Sequence, residues 1–137
     1  MTSVVLDANV VIDILVDRPV ARTYEPLMAA IRTGQTRAVI PLPAFLETDW
    51  MLQSRYKQTK TSCINGLRAA CELTDPANPT TQLVLQALVL YEYASGVNLA
   101  DCLIVLAAIQ DKADEFITGD KKLARLYRSL KNKKGRR

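Results

Sequence analysis

The chain has 137 residues, of which 49% are hydrophobic and 6% aromatic, the size and balance of one soluble domain with an aliphatic core. It contains no histidine and three cysteines, which excludes Ser-His-Asp triads and His-containing zinc sites. No apolar run reaches the roughly 18 residues of a membrane span, and no signal peptide is visible. We therefore expect a cytoplasmic protein whose cysteines are small buried hydrophobes and whose chemistry uses carboxylates, hydroxyls, amides and amines.

The net charge of +4 hides an asymmetry between the body of the chain and its end. Residues 121–137 contain nine basic residues and no acidic ones, whereas residues 1–120 contain nine basic and fourteen acidic residues, a net charge of −5. A basic end on an acidic body is typical of a protein that binds a polyanion, most simply nucleic acid. The alternative is that the basic run is solvated and binds nothing.

The first half of the chain alternates short apolar runs with helical patterns. A strand is predicted over 4–6, ending at Asp7, and a helix capped by Asn9 follows it. Next come a helix over 21–33, a strand over 38–40, and helices over 44–57 and 59–70.

The second half continues the alternation after a loop over 74–79. The first predicted element is a helix capped by Thr80 or Thr81 and running to about Tyr93, which is apolar nearly all round and expected to be buried. It is followed by a helix over 99–112, a strand over 116–118 and a helix over 121–130. This pattern predicts a single α/β domain over 1–130, a three-layer α/β/α arrangement around a short parallel sheet of about four strands. The fourth strand is expected at Cys71–Leu73, and 131–137 are expected to form a flexible basic tail.

Four carboxylates fall at element ends that a parallel sheet could gather at one edge. Asp7 and Asp120 follow predicted strands, and Glu47 and Asp101 lie near the starts of helices, where ligands of open α/β sheets collect. Each acid also has a structural explanation, as a helix cap or a solvated side chain. Gathered at about 5 Å, two carboxylates repel by ~3 kcal/mol at an effective dielectric of about 20. Such a cluster needs protons or cations, and oxygen-preferring Mg²⁺ or Mn²⁺ is the expected cofactor.

The residues around these acids resemble those of the PIN domain, most closely the VapC-type toxin ribonucleases of toxin–antitoxin pairs. The resemblance covers residues 2–127 and rests on Val4–Asn9, Glu47, Val97–Asp101 and Phe116–Asp120. It implies a PIN-like fold and a metal-dependent endoribonuclease. The implied catalytic and metal-binding residues are Asp7, Glu47, Asp101 and Asp120, with Asn9 and Thr118 as supports that orient ligands or water. Asp49 competes with Glu47 for the middle position.

The implied reaction is hydrolysis of an RNA phosphodiester by water, which leaves a 5′-phosphate and a 3′-hydroxyl. The cations predicted to contact RNA phosphates are Lys121, Lys122, Arg125 and Arg128. The resemblance also implies a homodimer and a small antitoxin protein whose arginine can enter the acidic pocket. Three aromatic side chains that could stack on bases, at Trp50, Tyr56 and Tyr127, are expected in the core instead.

Two other classes of protein remain as alternatives. One is a non-catalytic RNA- or protein-binding module on the same scaffold, which should show no thermal shift with divalent ions. The other is a different phosphoryl-transfer fold that opens with a strand ending in Asp. Haloacid-dehalogenase-like phosphatases require a second acid where Asn9 stands, and receiver domains require adjacent acids near the first strand, so both fit less well.

Overall fold

The computed structural model describes the backbone of residues 1–135 and the side chains of residues 1–133. Its strands are β1 (Thr2–Leu6), β2 (Thr36–Pro41), β3 (Asp75–Ala77) and β4 (Glu115–Ile117). Its helices are α1 (Ala8–Leu15), α2 (Glu25–Arg32), α3 (Leu42–Ser54), α4 (Lys60–Leu73), α5 (Thr81–Tyr93), α6 (Leu99–Gln110) and α7 (Lys121–Gly135), with a 3-10 helix (Pro19–Tyr24) before α2. The four strands are parallel, which confirms the predicted α/β class.

The sheet is covered on both faces, and alternate residues of β1 point to opposite layers. Val4 and Leu6 pack into a cluster with residues of α1 and α2. Val5, which is fully buried, packs into a second cluster with residues of α6 and α7. The positions of β1 and β2 that are buried on both faces, 4–6 and 38–40, are all apolar, which is why they appear in the sequence as uninterrupted apolar runs.

The strand order β3-β2-β1-β4 places a change of chain direction next to β1. The chain moves outward from β1 to β2 and β3, and then returns to add β4 on the other side of β1. The backbone N–H of Asp7 donates to the carbonyl of Ile117 at 2.9 Å, so the two strands stay paired to their carboxyl ends. The place where the strand order reverses is called the switch point of the sheet. In open α/β sheets, ligands bind in the crevice at the carboxyl ends of the strands at this point.

The prediction of a fourth strand at Cys71–Leu73 is wrong in position. These residues form the last turn of α4, which ends where the N–H of Thr74 donates to the carbonyl of Ala70. The strand is β3 instead, three residues long and at the edge of the sheet. Its central residue is Pro76, and proline is tolerated there because an edge strand leaves one side of its backbone unpaired.

The expectation that the helix over 81–93 is buried is also wrong. Only Leu83 and Ala87 of α5 are buried, whereas the side chains of Leu85 and Val89 are 59% and 58% exposed. The reason is positional, since α5 packs mainly against α6 and lies outside the two layers that touch the sheet. An exposed apolar face therefore remains on this helix.

Helix α7 is longer than predicted. It continues through 131–135, where a flexible tail was expected, and the remainder of that tail, 136–137, lies outside the described residues. The Lys131 ammonium lies 5.5 Å from the centre of the Tyr127 ring, a cation–π contact that favours the additional helical turn.

The three cysteines are free thiols. Cys63 and Cys102 are buried as expected, but Cys71 is exposed, because it lies on the outer face of α4. No helix among the described residues combines the length and apolar character of a membrane span.

Candidate active site

Asp7 lies at the centre of the candidate site, directly after β1. Its side chain is only 4% exposed. One carboxylate oxygen accepts a hydrogen bond from the N–H of Ala8 at 2.7 Å, and the other accepts one from the Thr118 hydroxyl at 2.6 Å. Asp7 is therefore the N-cap of α1, and the prediction that Asn9 caps this helix is wrong.

Thr118 and Asn9 form a small polar network that joins the ends of β1 and β4. The Thr118 hydroxyl donates to Asp7 and accepts from the N–H of Asp120 at 3.1 Å and the Asn9 amide at 3.5 Å. The side-chain oxygen Oδ1 of Asn9 accepts from the backbone N–H of Gly119 at 3.0 Å. Asn9 and Thr118, the two residues expected to support the site, thus lie beside Asp7. They contact each other although they are 109 residues apart in the sequence.

Asp101 and Asp120 also lie at helix N-termini. Asp101 accepts from the N–H of Asn98 at 3.1 Å, and Asn98 accepts from the N–H of Asp101 at 2.8 Å, a reciprocal capping box that begins α6. One oxygen of Asp120 accepts from the N–H of Lys122 at 2.8 Å at the start of α7. The partial positive charge of a helix N-terminus stabilises a nearby carboxylate. Asp101 and Asp120 can therefore cap their helices and also belong to the candidate site.

Glu47 lies in the second turn of α3, the helix that begins where β2 ends. It is half-buried, and its pKa is raised, first by burial and then by the charges of Asp7 and Asp101. Asp49, the competing acid, has both oxygens 3.0 Å from the amide nitrogen of Gln53, one turn further along α3. Glu47 is therefore the acid of this helix that lies within electrostatic reach of the other site residues.

Neighbouring carboxylates contribute to the raised pKa values of Asp7 and Asp101. Burial raises the pKa of Asp7 most, the hydrogen bonds from Thr118 and Ala8 lower it, and the charges of Asp101 and Asp120 raise it. Burial also raises the pKa of Asp101, against a hydrogen bond from Asn98 that lowers it and the charge of Asp120 that raises it. The site thus concentrates negative charge that a cation would stabilise.

The donor set fits a hard divalent cation. Within the described residues, no three acidic or thiol side chains are close enough to form a preassembled ligand cluster. Mg²⁺ does not require one, because it keeps several waters and binds through one or two carboxylates. The oxygen donors, the raised carboxyl pKa values and the lack of histidine all favour such an ion over a softer metal.

The four cations predicted to contact RNA lie on the first two turns of α7, immediately after Asp120. Lys121, Lys122, Arg125 and Arg128 are exposed. The other face of the helix buries Leu123 completely. The amphipathic pattern therefore presents the cations to solvent beside the acidic site.

The sequence did not identify two features of this region. Asn98 holds Asp101 through the capping box, and an Asn three residues before an Asp at a helix start is the signal that indicates it. Trp50 was expected in the core but is 65% exposed, three residues after Glu47 on α3. Tyr127 is buried as expected, and Tyr56 is partly buried against the core.

Comparison with known proteins relates most of the chain to one family. The family model for the PIN domain matches residues 4–129. No curated protein sequence matches the chain. Mycobacterium tuberculosis VapC20, a sarcin–ricin loop cleaving toxin, has a similar structure with a TM-score of 0.74, 11% identity and coverage of 90% of this chain and 94% of that one. A chain of VapBC2 from Rickettsia felis, solved with a DNA fragment from its promoter, has a TM-score of 0.69, 16% identity and coverage of 90% and 92%.

Proposed function

This chain belongs to the PIN domain family, and we propose that it is a metal-dependent endoribonuclease, the toxin of a toxin–antitoxin pair. The observation that carries the proposal is the gathering of acids around the buried Asp7 at the carboxyl edge of the sheet. Asp7 is hydrogen-bonded to Thr118, just past the end of β4, and the charges of Asp7 and Asp101 raise the pKa of Glu47. Burying carboxylates near one another is costly, and it is typical of sites that use the charge for catalysis.

In this proposal Asp7 and Asp101 hold Mg²⁺ or Mn²⁺, with Glu47 and Asp120 available to a second ion. Such an ion, when bound, lowers the pKa of water and stabilises charge on a phosphoryl group. The protein's contribution is positioning. The Thr118 hydroxyl fixes the orientation of the Asp7 carboxylate, Asn9 ties the end of β4 to α1, and Asn98 fixes Asp101.

The proposed substrate is RNA, hydrolysed with water as the nucleophile. The products would carry 5′-phosphate and 3′-hydroxyl ends, and 2′,3′-cyclic phosphate ends would contradict this mechanism. Because the site is acidic, the approach of RNA requires nearby cations, and Lys121, Lys122, Arg125 and Arg128 supply them through phosphate contacts.

Two protein partners are part of the proposal. A small antitoxin would place an arginine against the site carboxylates, since a guanidinium and a carboxylate form charge-assisted, bidentate hydrogen bonds. A second copy of the chain would cover the exposed apolar face of α5, centred on Leu85 and Val89. We place this assembly in the cytoplasm.

A non-catalytic RNA- or protein-binding module is the second candidate. The exposed cations of α7 would serve such a module as well as a nuclease, because phosphate contacts do not require catalysis. A divalent-ion-dependent rise in melting temperature distinguishes the two, because a binding module gives none.

The deciding experiment is cleavage of mixed RNA by wild type and Asp7→Asn, with Mg²⁺, Mn²⁺ or EDTA. We expect cutting by the wild type with either metal, none with EDTA, and none by the folded Asp7→Asn protein. Asp17→Asn is the matched control, because Asp17 is exposed and has a φ of 53°, which asparagine also adopts. Folded wild type that cuts under no condition would contradict the nuclease proposal.

A further inference from the structure

An open groove of about 410 Å³ lies between the turn that joins α5 to α6 and the first two turns of α7. The turn, 94–97, forms one wall. The other wall is formed by Lys122, Arg125 and Leu126. The groove is therefore lined by two cations on one side and by the turn on the other.

Lys122 is held against the turn by close packing. Its ammonium nitrogen lies 3.3 Å from the position that a β-carbon would occupy on Gly96, and its side-chain carbons Cδ and Cε lie 3.7 and 3.9 Å from it. Gly96 has a φ of 76°, a conformation that glycine adopts without strain. Because Gly96 has no side chain, the aliphatic part of Lys122 can lie against the turn with its ammonium group near Gly96.

The turn that lines the groove has backbone N–H groups without a protein acceptor among the described residues, opposite the two cations. Within residues 1–135, the backbone N–H groups of Ser95, Gly96 and Val97 donate to no protein acceptor. Neither Lys122 nor Arg125 forms an ion pair with any described residue. Successive backbone N–H groups near a positive-φ residue, with unpaired cations opposite, are a favourable setting for an anion.

Both walls lead directly into the candidate active site. The turn is followed by Asn98, which is hydrogen-bonded to Asp101. Two residues before Lys122 is Asp120, which accepts a hydrogen bond from the backbone N–H of Lys122. A strand of nucleic acid crossing the carboxylates would therefore place a neighbouring phosphate at this groove.

We propose that this groove is a phosphate subsite for the RNA strand, in which Lys122, Arg125 and the N–H groups of 95–97 hold a backbone phosphate beside the scissile one. The inference rests on the proposed nuclease function and goes beyond it by separating two of the four α7 cations from the others. In this arrangement the subsite holds the strand in place without reading its bases.

The test measures RNA binding as a function of salt. The probe is a fluorescein-labelled single-stranded RNA of mixed sequence, with EDTA present so that no cleavage occurs. Each phosphate contact with a single strand contributes a slope of about 0.7 to the plot of log affinity against log salt. We expect Lys122→Met and Arg125→Met each to weaken binding and to reduce the slope by about that amount.

Arg68→Met is the matched control, since Arg68 is exposed on α4 and its loss removes one charge from a different part of the molecule. Its slope should equal that of the wild type. The subsite would be overturned if Lys122→Met, Arg125→Met and Arg68→Met all reduced the slope equally, or if the first two left it unchanged. It would also be overturned if the wild type bound no RNA. Metal-dependent cleavage is measured separately, so wild type that cuts RNA while the groove variants keep the wild-type slope would refute the subsite and leave the nuclease intact.

Discussion

The hydroxyl of Thr118 donates a hydrogen bond of 2.6 Å to the carboxylate of Asp7, across 111 residues of sequence. The bond joins the carboxyl ends of β1 and β4, and it is one of the two contacts that lower the pKa of the buried Asp7. The orientation of this central acid therefore depends on the residue that directly follows the last strand.

Thr118→Val tests that relationship. The variant keeps the shape of the side chain but leaves a buried carboxylate oxygen without its donor, which costs about 1–3 kcal/mol. We expect a matching loss in the free energy of unfolding at pH 7, measured by urea denaturation, and a large loss of RNA cleavage. Thr118→Ser, which restores the hydroxyl, should recover most of both. If Thr118→Val and Thr118→Ser lost equal amounts of stability and cleavage, the hydrogen bond to Asp7 would not be the cause of the losses.

The pH dependence of stability should reflect the raised pKa of Glu47. The pKa of Glu47 is higher in the folded state than in the unfolded state, so the folded state binds more protons. The contribution of Glu47 to the free energy of unfolding is therefore fully present below about pH 4. That stability is lost as the pH rises through the folded pKa. Without divalent ions, Glu47→Gln should therefore gain stability relative to the wild type between pH 4 and pH 7. If the difference in the free energy of unfolding between Glu47→Gln and the wild type does not vary with pH, the effects of burial and charge on Glu47 are contradicted.

Divalent ions should stabilise the folded protein. A ligand that binds only the folded state raises stability by RT ln(1 + [L]/Kd), so the melting temperature should increase with Mg²⁺ or Mn²⁺ concentration. The shift should disappear in Asp101→Asn. Fluorescence of Trp50, the single tryptophan, provides a second signal because it lies three residues from Glu47. Equal shifts in wild type and variant would place the ion elsewhere.

The exposed face of α5 should determine the oligomeric state. Val89→Glu places a charge in the proposed dimer interface and should shift the protein from dimer to monomer in sedimentation velocity. Val20→Glu is the matched control, because Val20 is 43% exposed in the 3-10 helix, away from α5. A wild type that sediments as a monomer at all concentrations would refute pairing through this face.

Two glycines should respond oppositely to alanine. Gly66 lies within α4, where an added β-carbon would meet Leu15 at an ordinary 3.6 Å, so Gly66→Ala should stabilise by about 0.5–1 kcal/mol. Gly96→Ala combines a φ of 76° with crowding of Lys122 and should destabilise by about 1–2 kcal/mol. It should also weaken RNA binding, which Gly66→Ala should not. Wild-type RNA affinity in Gly96→Ala would show that the position of Lys122 does not matter.

Local patterns in the sequence were sufficient to predict the class of fold and to place candidate acids at the ends of strands and the starts of helices. An apolar run ending in Asp7 indicates a buried parallel strand with an acid at its carboxyl end, because neighbours in sequence determine both features. The same is true of Asp101 and Asp120, which lie at helix starts where short-range hydrogen bonds hold them.

Only the tertiary structure decided what depends on neighbours distant in sequence. It distinguished Glu47 from Asp49, exposed Trp50 and the apolar face of α5, and moved the fourth strand to Asp75–Ala77. It also brought Lys122 onto Gly96. Periodicity shows which residues of a helix share a face, but the packing of other elements determines which face is buried.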